Sequence, residues 1–464
     1  MVVVAGLTFS VALLAIDARA TYGARTSADE PQYLLTALSL GRDLDLDISD
    51  EIDGEEYLPF HEIGLNPQTI ELNDAGQRLS PHDPLLPAVL AVPMRLGGWG
   101  AAKAALAAIG AVTAAVTLWV AVRRFGVPLS VGGPVVGTAF IAPPLTSYAT
   151  QVYPELPAGL CVVAAVGALT GRLDGRSVLV VVGAVVALPW LAVKYAPVAA
   201  VLAVALLWQL WRSDRHRARL VAAAWVIAGV VYLAVHQRVY GGWTVYAAGD
   251  HFVDGELLVV GNDPNYLARS RRLLGLLVDR GFGLGAWTPS LLALPAALVA
   301  LVRSGRRGST VLVATVLVGW AVATWVALTM QGWWWPGRQV VVVLPLAVVA
   351  MAVLVDRFRV LLAPIVIGSL LGSATWLWLV VEASTDRRTI IVDFASTSNP
   401  WYRVWSQVFP DLQQPGVGDW ILYGVWGVVL AASCVVVWRS SAPEGGDDQL
   451  ATAAVEASAD AASR

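Results

Sequence analysis

Long apolar runs recur along most of this chain, and they restrict its possible folds more than any other feature. A run of about 18 or more apolar residues predicts a helix that crosses a membrane. Charged residues make up 14% of the chain, whereas a soluble domain carries about 25%. We predict spans near residues 101–122, 128–146, 152–170, 177–192, 196–211, 220–238, 284–302, 310–330, 339–355, 360–381 and 420–438.

A further apolar run, Val2 to Ile16, is short for a membrane span. A cleaved signal peptide is the alternative, because Ala18-Arg19-Ala20 resembles a cleavage site. No Lys or Arg precedes the run, although a signal peptide normally has a basic segment there. We therefore predict a retained anchor, and with it an all-α polytopic membrane protein of about twelve transmembrane helices.

Basic residues indicate how the chain is oriented. They cluster in alternate loops, which the positive-inside rule assigns to the cytoplasm. The clusters are Arg123-Arg124, Arg172 with Arg176, the segment 212–219, Arg303 with Arg306-Arg307, Arg357 with Arg359, and Arg439. Loops 17–96, 239–283 and 382–419 are then external parts of a transmembrane domain, 1–440. We predict a multi-pass plasma-membrane protein whose C-terminal tail, 441–464, is disordered and cytoplasmic.

Several enzyme signatures are absent from the sequence. It contains no Gly-x-x-x-x-Gly-Lys phosphate loop, no dinucleotide-binding glycine fingerprint, no His-Glu-x-x-His and no Cys-x-x-Cys. ATP-driven transport and zinc-dependent hydrolysis therefore have no support. A net charge of −3 gives no reason to expect a nucleic-acid partner. Cys161 and Cys434 lie in apolar runs and are predicted to be core residues.

Asp29 and Glu30 follow the first apolar run, where the chain reaches the outer face. A partly desolvated carboxylate in that position can hold a raised pKa and accept a proton from a hydroxyl group. The alternative is a solvated helix cap, because Ser27 and Asp29 are good N-caps and Pro31 suits a first turn. Tyr33 belongs to the helix that we predict to follow, an amphipathic helix at the membrane interface.

The same loop contains an acidic segment, 43–56. Placing Gly54 at the sixth position of an EF-hand puts Phe60 where a bidentate Glu is required, so that match fails. We predict a solvated loop, with a short half-buried strand at 43–48 as the alternative, because charged and apolar residues alternate there. No metal is predicted, although the segment leaves a divalent ion open.

Four basic side chains in the predicted external loops are candidates for binding an anion. His82 lies between prolines before the second helical region, where a lone histidine is more often structural. Lys194 lies between two apolar runs and could equally be an anchor whose amine reaches the interface. Arg280 and Arg338 are both external, where the positive-inside rule gives no reason for them.

Residues near these cations are candidates for contacting a substrate. Tyr153 and Glu155 open a span, and an ionisable residue at a span end is usually functional or paired. Trp334 is the middle of three consecutive tryptophans, which by default form an interfacial aromatic belt. Aromatic faces beside an arginine also suit a sugar ring next to a phosphate.

Together these segments resemble the GT-C superfamily of integral-membrane glycosyltransferases, in the bacterial group of protein O-mannosyltransferases and aminoarabinose and galacturonic-acid transferases. The matching segments are Asp29-Glu30-x-x-Tyr33, Asp43-Leu44-Asp45-Leu46, His82-Asp83-Pro84-Leu85-Leu86-Pro87, Tyr153-Pro154-Glu155, Gly281-Phe282-Gly283-Leu284 with Pro289, and Gly337-Arg338 before Leu344-Pro345. Two residues depart from the family pattern, because Asp83 replaces a proline and Gln339 replaces a tyrosine.

The resemblance implies inverting transfer of a sugar from a polyprenyl-phosphate donor to a hydroxyl of a glycan, lipid or protein at the external face. Asp29 would be the general base, and Glu30 would orient the acceptor or Asp29. The donor phosphate would contact basic side chains, namely Lys194, Arg338, Arg280 and His82. The substrates would also contact Tyr33, Tyr153, Glu155 and Trp334. The resemblance requires no cofactor and no metal; the partners are membrane lipids and the substrates.

Two other functions are compatible with the sequence. A transporter or flippase of lipid-linked sugars needs ionisable residues near the middle of its spans, whereas nearly all charges here lie at span ends. The other is an inactive scaffold for an envelope-synthesis complex, and the intact Asp29-Glu30 pair argues against it.

Overall fold

Helices are the regular secondary structure of the protein in the residues that the structure describes. The computed structural model describes residues 1–68, 73, 75–248 and 265–440. In chain order the helices are α1 (Val2–Leu13), α2 (Glu30–Arg42), α3 (Ser49–Asp53), α4 (Leu85–Arg123), α5 (Leu129–Ile141), α6 (Glu155–Leu169), α7 (Gly175–Leu191), α8 (Ala196–Ser213), α9 (Arg215–Tyr240), α10 (Tyr266–Arg269), α11 (Arg272–Val278), α12 (Leu284–Trp287), α13 (Leu294–Arg303), α14 (Ser309–Ala321), α15 (Leu344–Arg357), α16 (Leu362–Ser384), α17 (Pro400–Trp405) and α18 (Val417–Ser440).

Every predicted span overlaps one of these helices, which confirms the all-α polytopic membrane fold. Within the described part of the chain, six helical segments are long and apolar enough to cross a membrane alone: Leu85–Arg123, Val193–Ser213, Arg215–Ala247, Ser309–Val326, Arg359–Ser384 and Val417–Ser440. The remaining predicted spans are shorter apolar helices. The predicted span 284–302 is divided into α12 and α13, because Pro289 begins a 3-10 turn (Pro289–Ala293) between them.

The helix after the first loop begins much earlier than predicted. α4 starts at Leu85 rather than near residue 101, and it is interrupted at Gly97 and Gly98. Gly98 has φ 64°, which a residue without a Cβ adopts readily. The predicted loop 17–96 therefore ends in a helix whose axis changes direction at the two glycines.

α15 lies at the centre of the helical bundle. All residues from Leu344 to Val355 are buried, and Pro345 occupies its first turn. It packs against α4, α5 and α13. A helix that is apolar on every side belongs in such an interior position. α18, in contrast, is largely exposed along its length, as expected of a helix that faces lipid.

The first loop packs onto the bundle through α2. Nearly all of α2 is buried, and it lies along α4. The prediction of an amphipathic interfacial helix is therefore wrong, because α2 is covered by protein on almost every side. The alternative of a strand at 43–48 is also wrong, since in the described residues only Asp47 of that segment pairs, in an isolated bridge with Leu79.

Basic loops meet at one end of the bundle. Arg124, which follows α4, donates to the carbonyl of Gly167 at 2.8 Å. Arg306 forms an ion pair with Asp356 at 2.7 Å. These contacts join the loops that end α4, α6, α13 and α15, whereas α2 contacts the opposite end of α4. Residues 249–264 of the loop 239–283, and the predicted tail 441–464, lie outside the described residues.

Candidate active site

A tight turn places Asp29 at the N-terminus of α2. The amide of Glu30 donates to the carbonyl of Ser27 at 3.0 Å, and Pro31 lies in the first helical turn. Ala28 has φ 47°, a left-handed conformation that costs a residue with a Cβ about 1–2 kcal/mol. The Asp29 side chain does not cap α2. The solvated-cap alternative is therefore wrong, and the carboxylate is free to bind other groups.

Asp29 is held by an arginine from a distant part of the chain. Its Oδ2 accepts from Nη2 of Arg338 at 2.7 Å, and its Oδ1 accepts from Nε2 of Gln68 at 2.9 Å. Burial alone would raise the pKa of Asp29, but the positive charge of Arg338 and the Gln68 hydrogen bond hold it below its ordinary value. Asp29 is therefore ionised and paired in this arrangement.

Arg338 connects Asp29 to a second carboxylate. Its Nε donates to Oε1 of Glu155 at 2.9 Å. The guanidinium Cζ lies 4.0 Å from the centre of the Tyr153 ring and 4.7 Å from that of Trp334. Two aromatic faces and two carboxylates therefore fix its plane, a geometry that lysine cannot reproduce.

Lys194 completes this group of charges. Its Nζ donates to Oε1 of Glu155 at 2.9 Å and to Oε1 of Gln339 at 3.3 Å. Glu155 is fully buried, and its Oε2 has no hydrogen-bond partner among the described residues. Two cations thus converge on one oxygen of Glu155 at the start of α6. We call Asp29, Arg338, Glu155 and Lys194 the charge cluster.

His82 lies on the other side of Asp29. Its Nε2 is 2.8 Å from Oε1 of Gln68, and its ring stacks on Tyr33 with 4.4 Å between ring centres. Burial lowers the pKa of His82, although the neighbouring Asp29 acts in the opposite direction. Gln68 bridges His82 and Asp29, so the imidazole borders the charge cluster as a predominantly neutral group.

Glu30 faces away from the charge cluster. It is fully buried, and its Oε2 accepts from the amide of Val152 at 3.0 Å while Oε1 accepts from the hydroxyl of Ser27 at 3.3 Å. Burial raises the pKa of Glu30, and the charge of Lys103 opposes that shift. Glu30 therefore ties the Asp29 turn to the segment before Tyr153.

The structure does not bring Arg280 into this group. Its Nε donates to the carbonyl of Phe409 at 3.1 Å, and its Nη2 lies 3.4 Å from Oδ1 of Asp419. Arg280 lines a separate cavity of about 470 Å³. Trp333 also lines that cavity, and its carbonyl accepts from the Ser27 hydroxyl at 3.1 Å. Trp333 therefore lies between this cavity and the turn that carries Asp29.

Sequence reasoning gave Asp83 no role of its own, yet it joins three segments. Its Oδ1 accepts from the hydroxyl of Tyr232 at 2.9 Å and lies 3.0 Å from Nε2 of His236, and its Oδ2 accepts from the amide of Val193 at 3.0 Å. This buried carboxylate therefore positions two residues of the site. They are His82, which precedes Asp83 in the chain, and Lys194, which follows its partner Val193.

Gln68 and Gln339 were also missed as members of the site. Gln68 precedes the part of the loop that the structure leaves undescribed, and no motif surrounds it. Gln339 was noted only as a departure from the family pattern, but its amide contacts Lys194. Neutral amides give no signal in a sequence until the charges they serve are located.

The arrangement has the parts that a group transfer to or from a phosphate requires. Asp29 can accept a proton, and Arg338 and Lys194 can neutralise an anion that develops nearby. Tyr153 and Trp334 give flat apolar faces beside Arg338, which suit the C–H faces of a sugar.

No family profile and no curated protein sequence matches the chain. Among solved structures, the chain is similar to the crystal structure of ArnT from Cupriavidus metallidurans bound to undecaprenyl phosphate. The TM-score is 0.52 with 14% sequence identity, and the similarity covers 95% of this chain and 72% of the ArnT chain. The chain therefore has the same overall fold as this ArnT structure.

Proposed function

We propose that this protein is a glycosyltransferase that moves a sugar from a polyprenyl-phosphate donor to a hydroxyl acceptor at the external face of the plasma membrane, with inversion at the anomeric carbon. The observation that carries the proposal is the charge cluster, in which Arg338 contacts both Asp29 and Glu155. Undecaprenyl phosphate, bound by ArnT in the similar structure, has the chemistry of the carrier that we propose here.

Arg338 and Lys194 form the proposed clamp for the donor phosphate. Both donate to Glu155 Oε1 at 2.9 Å, so their positive ends lie close together. A phosphodiester between lipid and sugar carries a single negative charge, and it gains a second as the sugar leaves. Charge-assisted hydrogen bonds that strengthen with this change favour the transition state over the bound donor. His82, beside Asp29, would donate a further hydrogen bond.

Asp29 is the proposed general base. Its contact with Arg338 holds its pKa low, which by itself makes it a weak base. A donor phosphate competes for the same guanidinium, and burial then favours the protonated form of Asp29. Donor binding would thereby raise the basicity of Asp29 at the moment when the acceptor hydroxyl needs to lose its proton.

The bonds and charges balance without any further reactant. The acceptor oxygen bonds to the anomeric carbon, and the bond from that carbon to the phosphate oxygen breaks. The hydroxyl proton passes to Asp29, and the electron pair of the broken bond stays on the polyprenyl phosphate. Because the acceptor attacks from the face opposite the phosphate, the configuration at the anomeric carbon inverts.

The remaining predicted residues would position substrates. Glu30 fixes the turn that carries Asp29, through Val152 and Ser27. Tyr33 supports His82 by stacking, and Tyr153 and Trp334 flank Arg338. The acceptor would enter through the cavity that Arg280 and Trp333 line.

The ends of the helices support the proposed external location. The charge cluster and α2 lie at the end of α4 near Leu85, whereas the basic loops joined through Arg124 and Arg306 lie at its other end. The positive-inside rule places the basic end in the cytoplasm. Residues 1–440 would then form one catalytic transmembrane domain, followed by a cytoplasmic tail.

A transfer assay tests the proposal. Purified protein in detergent would receive radiolabelled polyprenyl-phosphate sugars and an extract of its host membranes. We expect label to move to a new product with wild type and with Asp53→Asn, an exposed carboxylate of the same loop, but not with Asp29→Asn. Full transfer by Asp29→Asn would overturn the assignment of the base. No transfer by wild type with any donor would favour the transporter or scaffold functions.

A further inference from the structure

Three acidic side chains meet where α2 ends and α3 begins. Asp43 follows the last residue of α2, and Asp50 and Glu51 lie in the first turn of α3. One carboxylate oxygen from each lies within 4.8 Å of the other two. Leu44, with φ 64°, reverses the chain between the helices and so brings the carboxylates together.

The first amide of α3 is bound by Asp47 and not by any of the three carboxylates. Oδ1 of Asp47 accepts from the amide of Ser49 at 3.0 Å and from the amide of Arg78 at 2.9 Å. The nearby guanidinium of Arg42 donates to Glu56 at 2.9 Å. Local hydrogen bonding therefore does not account for the approach of Asp43, Asp50 and Glu51.

Glu51 is the unusual member of the three. Its side chain is only 2% exposed, and Oε2 has no hydrogen-bond partner among the described residues. A buried carboxylate oxygen that has no hydrogen-bond donor and lies near two other acids costs folding free energy, which a bound cation would offset.

We propose that Asp43, Asp50 and Glu51 bind a divalent cation of the calcium type. Ca²⁺ takes oxygen ligands at about 2.3–2.6 Å, so oxygens on opposite sides of the ion lie about 4.8 Å apart. The spacing observed here fits within that limit. Asp43 and Asp50 are both exposed, which leaves room for water to complete an irregular coordination shell.

The ion would join the C-terminus of α2 to α3. The opposite end of α2 carries Glu30 and follows Asp29, so the site would restrain the loop without touching the reacting groups. Its ligands come from a helix end and a helix start, which is why the EF-hand spacing fails. The proposal does not depend on the glycosyltransferase activity.

Calcium titration of the full-length protein in detergent, after removal of metal by a chelator, tests the site. We expect one Ca²⁺ to bind wild type, seen by terbium luminescence with calcium competition, and to raise the thermal unfolding midpoint. Glu51→Gln, which keeps the shape of the side chain, should weaken binding at least tenfold. Asp53→Asn, on the same helix, should bind as wild type does.

Two results would overturn the proposal. One is wild-type protein that neither binds calcium nor gains thermal stability from it. The other is Glu51→Gln that binds calcium as tightly as wild type. Because glutamine has nearly the same shape as glutamate, the variant is expected to fold, and circular dichroism would confirm that it does before the comparison is made.

Discussion

Replacing Arg338 by lysine keeps a positive charge but removes the planar fork that joins two carboxylates. Arg338 donates from Nη2 to Asp29 at 2.7 Å and from Nε to Glu155 at 2.9 Å. A lysine ammonium can retain one of these bonds. Losing a charge-assisted hydrogen bond costs about 1.5–3 kcal/mol, and losing the stacking on Tyr153 and Trp334 costs about 0.5–2 kcal/mol.

We therefore expect Arg338→Lys to lower the free energy of unfolding by about 2–5 kcal/mol. The same missing hydrogen bond, made to a donor phosphate, should lower kcat/KM by about 10- to 100-fold. Thermal unfolding in detergent and the transfer assay measure the two effects separately, at a temperature where the variant is folded.

Arg280→Lys is the matched control for this change. Arg280 is 31% exposed, and its ion pair with Asp419 is longer, at 3.4 Å. Such a pair contributes about 1 kcal/mol or less, so the control should change stability and donor use only slightly. Equal effects of the two substitutions on kcat/KM would refute the special role of Arg338 in the charge cluster.

Two further predictions concern the surroundings of the site. Asp83→Asn should destabilise the protein by about 1–3 kcal/mol, because an amide nitrogen replaces one of the two oxygens that contact Tyr232, His236 and Val193. It should also raise the KM for the donor because Val193 adjoins Lys194; unchanged unfolding and KM would contradict this. The pKa of Asp29 is lower in the folded protein than its ordinary value. The stability that its pairing with Arg338 contributes is therefore fully present above about pH 4, and it is lost as pH falls through the pKa of Asp29 in the folded protein. The stability difference between wild type and Asp29→Asn should then be constant from pH 5 to 8, and a difference that grows steadily across that interval would contradict the pairing.

Much of the fold was predictable because membrane helices follow from apolar runs. The exceptions have local causes. α4 extends back to Leu85 because an apolar segment before Gly97 continues into the longer run after it. α2 was predicted to be interfacial because its own hydrophobicity is modest, and only its contact with α4 shows that the helix is buried.

The charge cluster was predictable in part. The sequence predicts each of its four members individually, as an ionisable residue at a span end: Asp29, Glu155, Lys194 and Arg338. That they touch one another depends on how helices far apart in the sequence pack. Arg280 met the same criterion, but packing places it beside Asp419. Asp83 replaces a family proline, and its role depends on Tyr232 and His236, which belong to another helix.

The measurement that tests the central claim most directly compares donor binding with transfer in Asp29→Asn. Native mass spectrometry would measure retention of a polyprenyl-phosphate sugar, and the transfer assay would measure product. If Asp29 is the base and competes for Arg338, the variant should bind donor at least as tightly as wild type and form no product. Product formed at the wild-type rate, or loss of donor binding in a folded Asp29→Asn protein, would contradict the account.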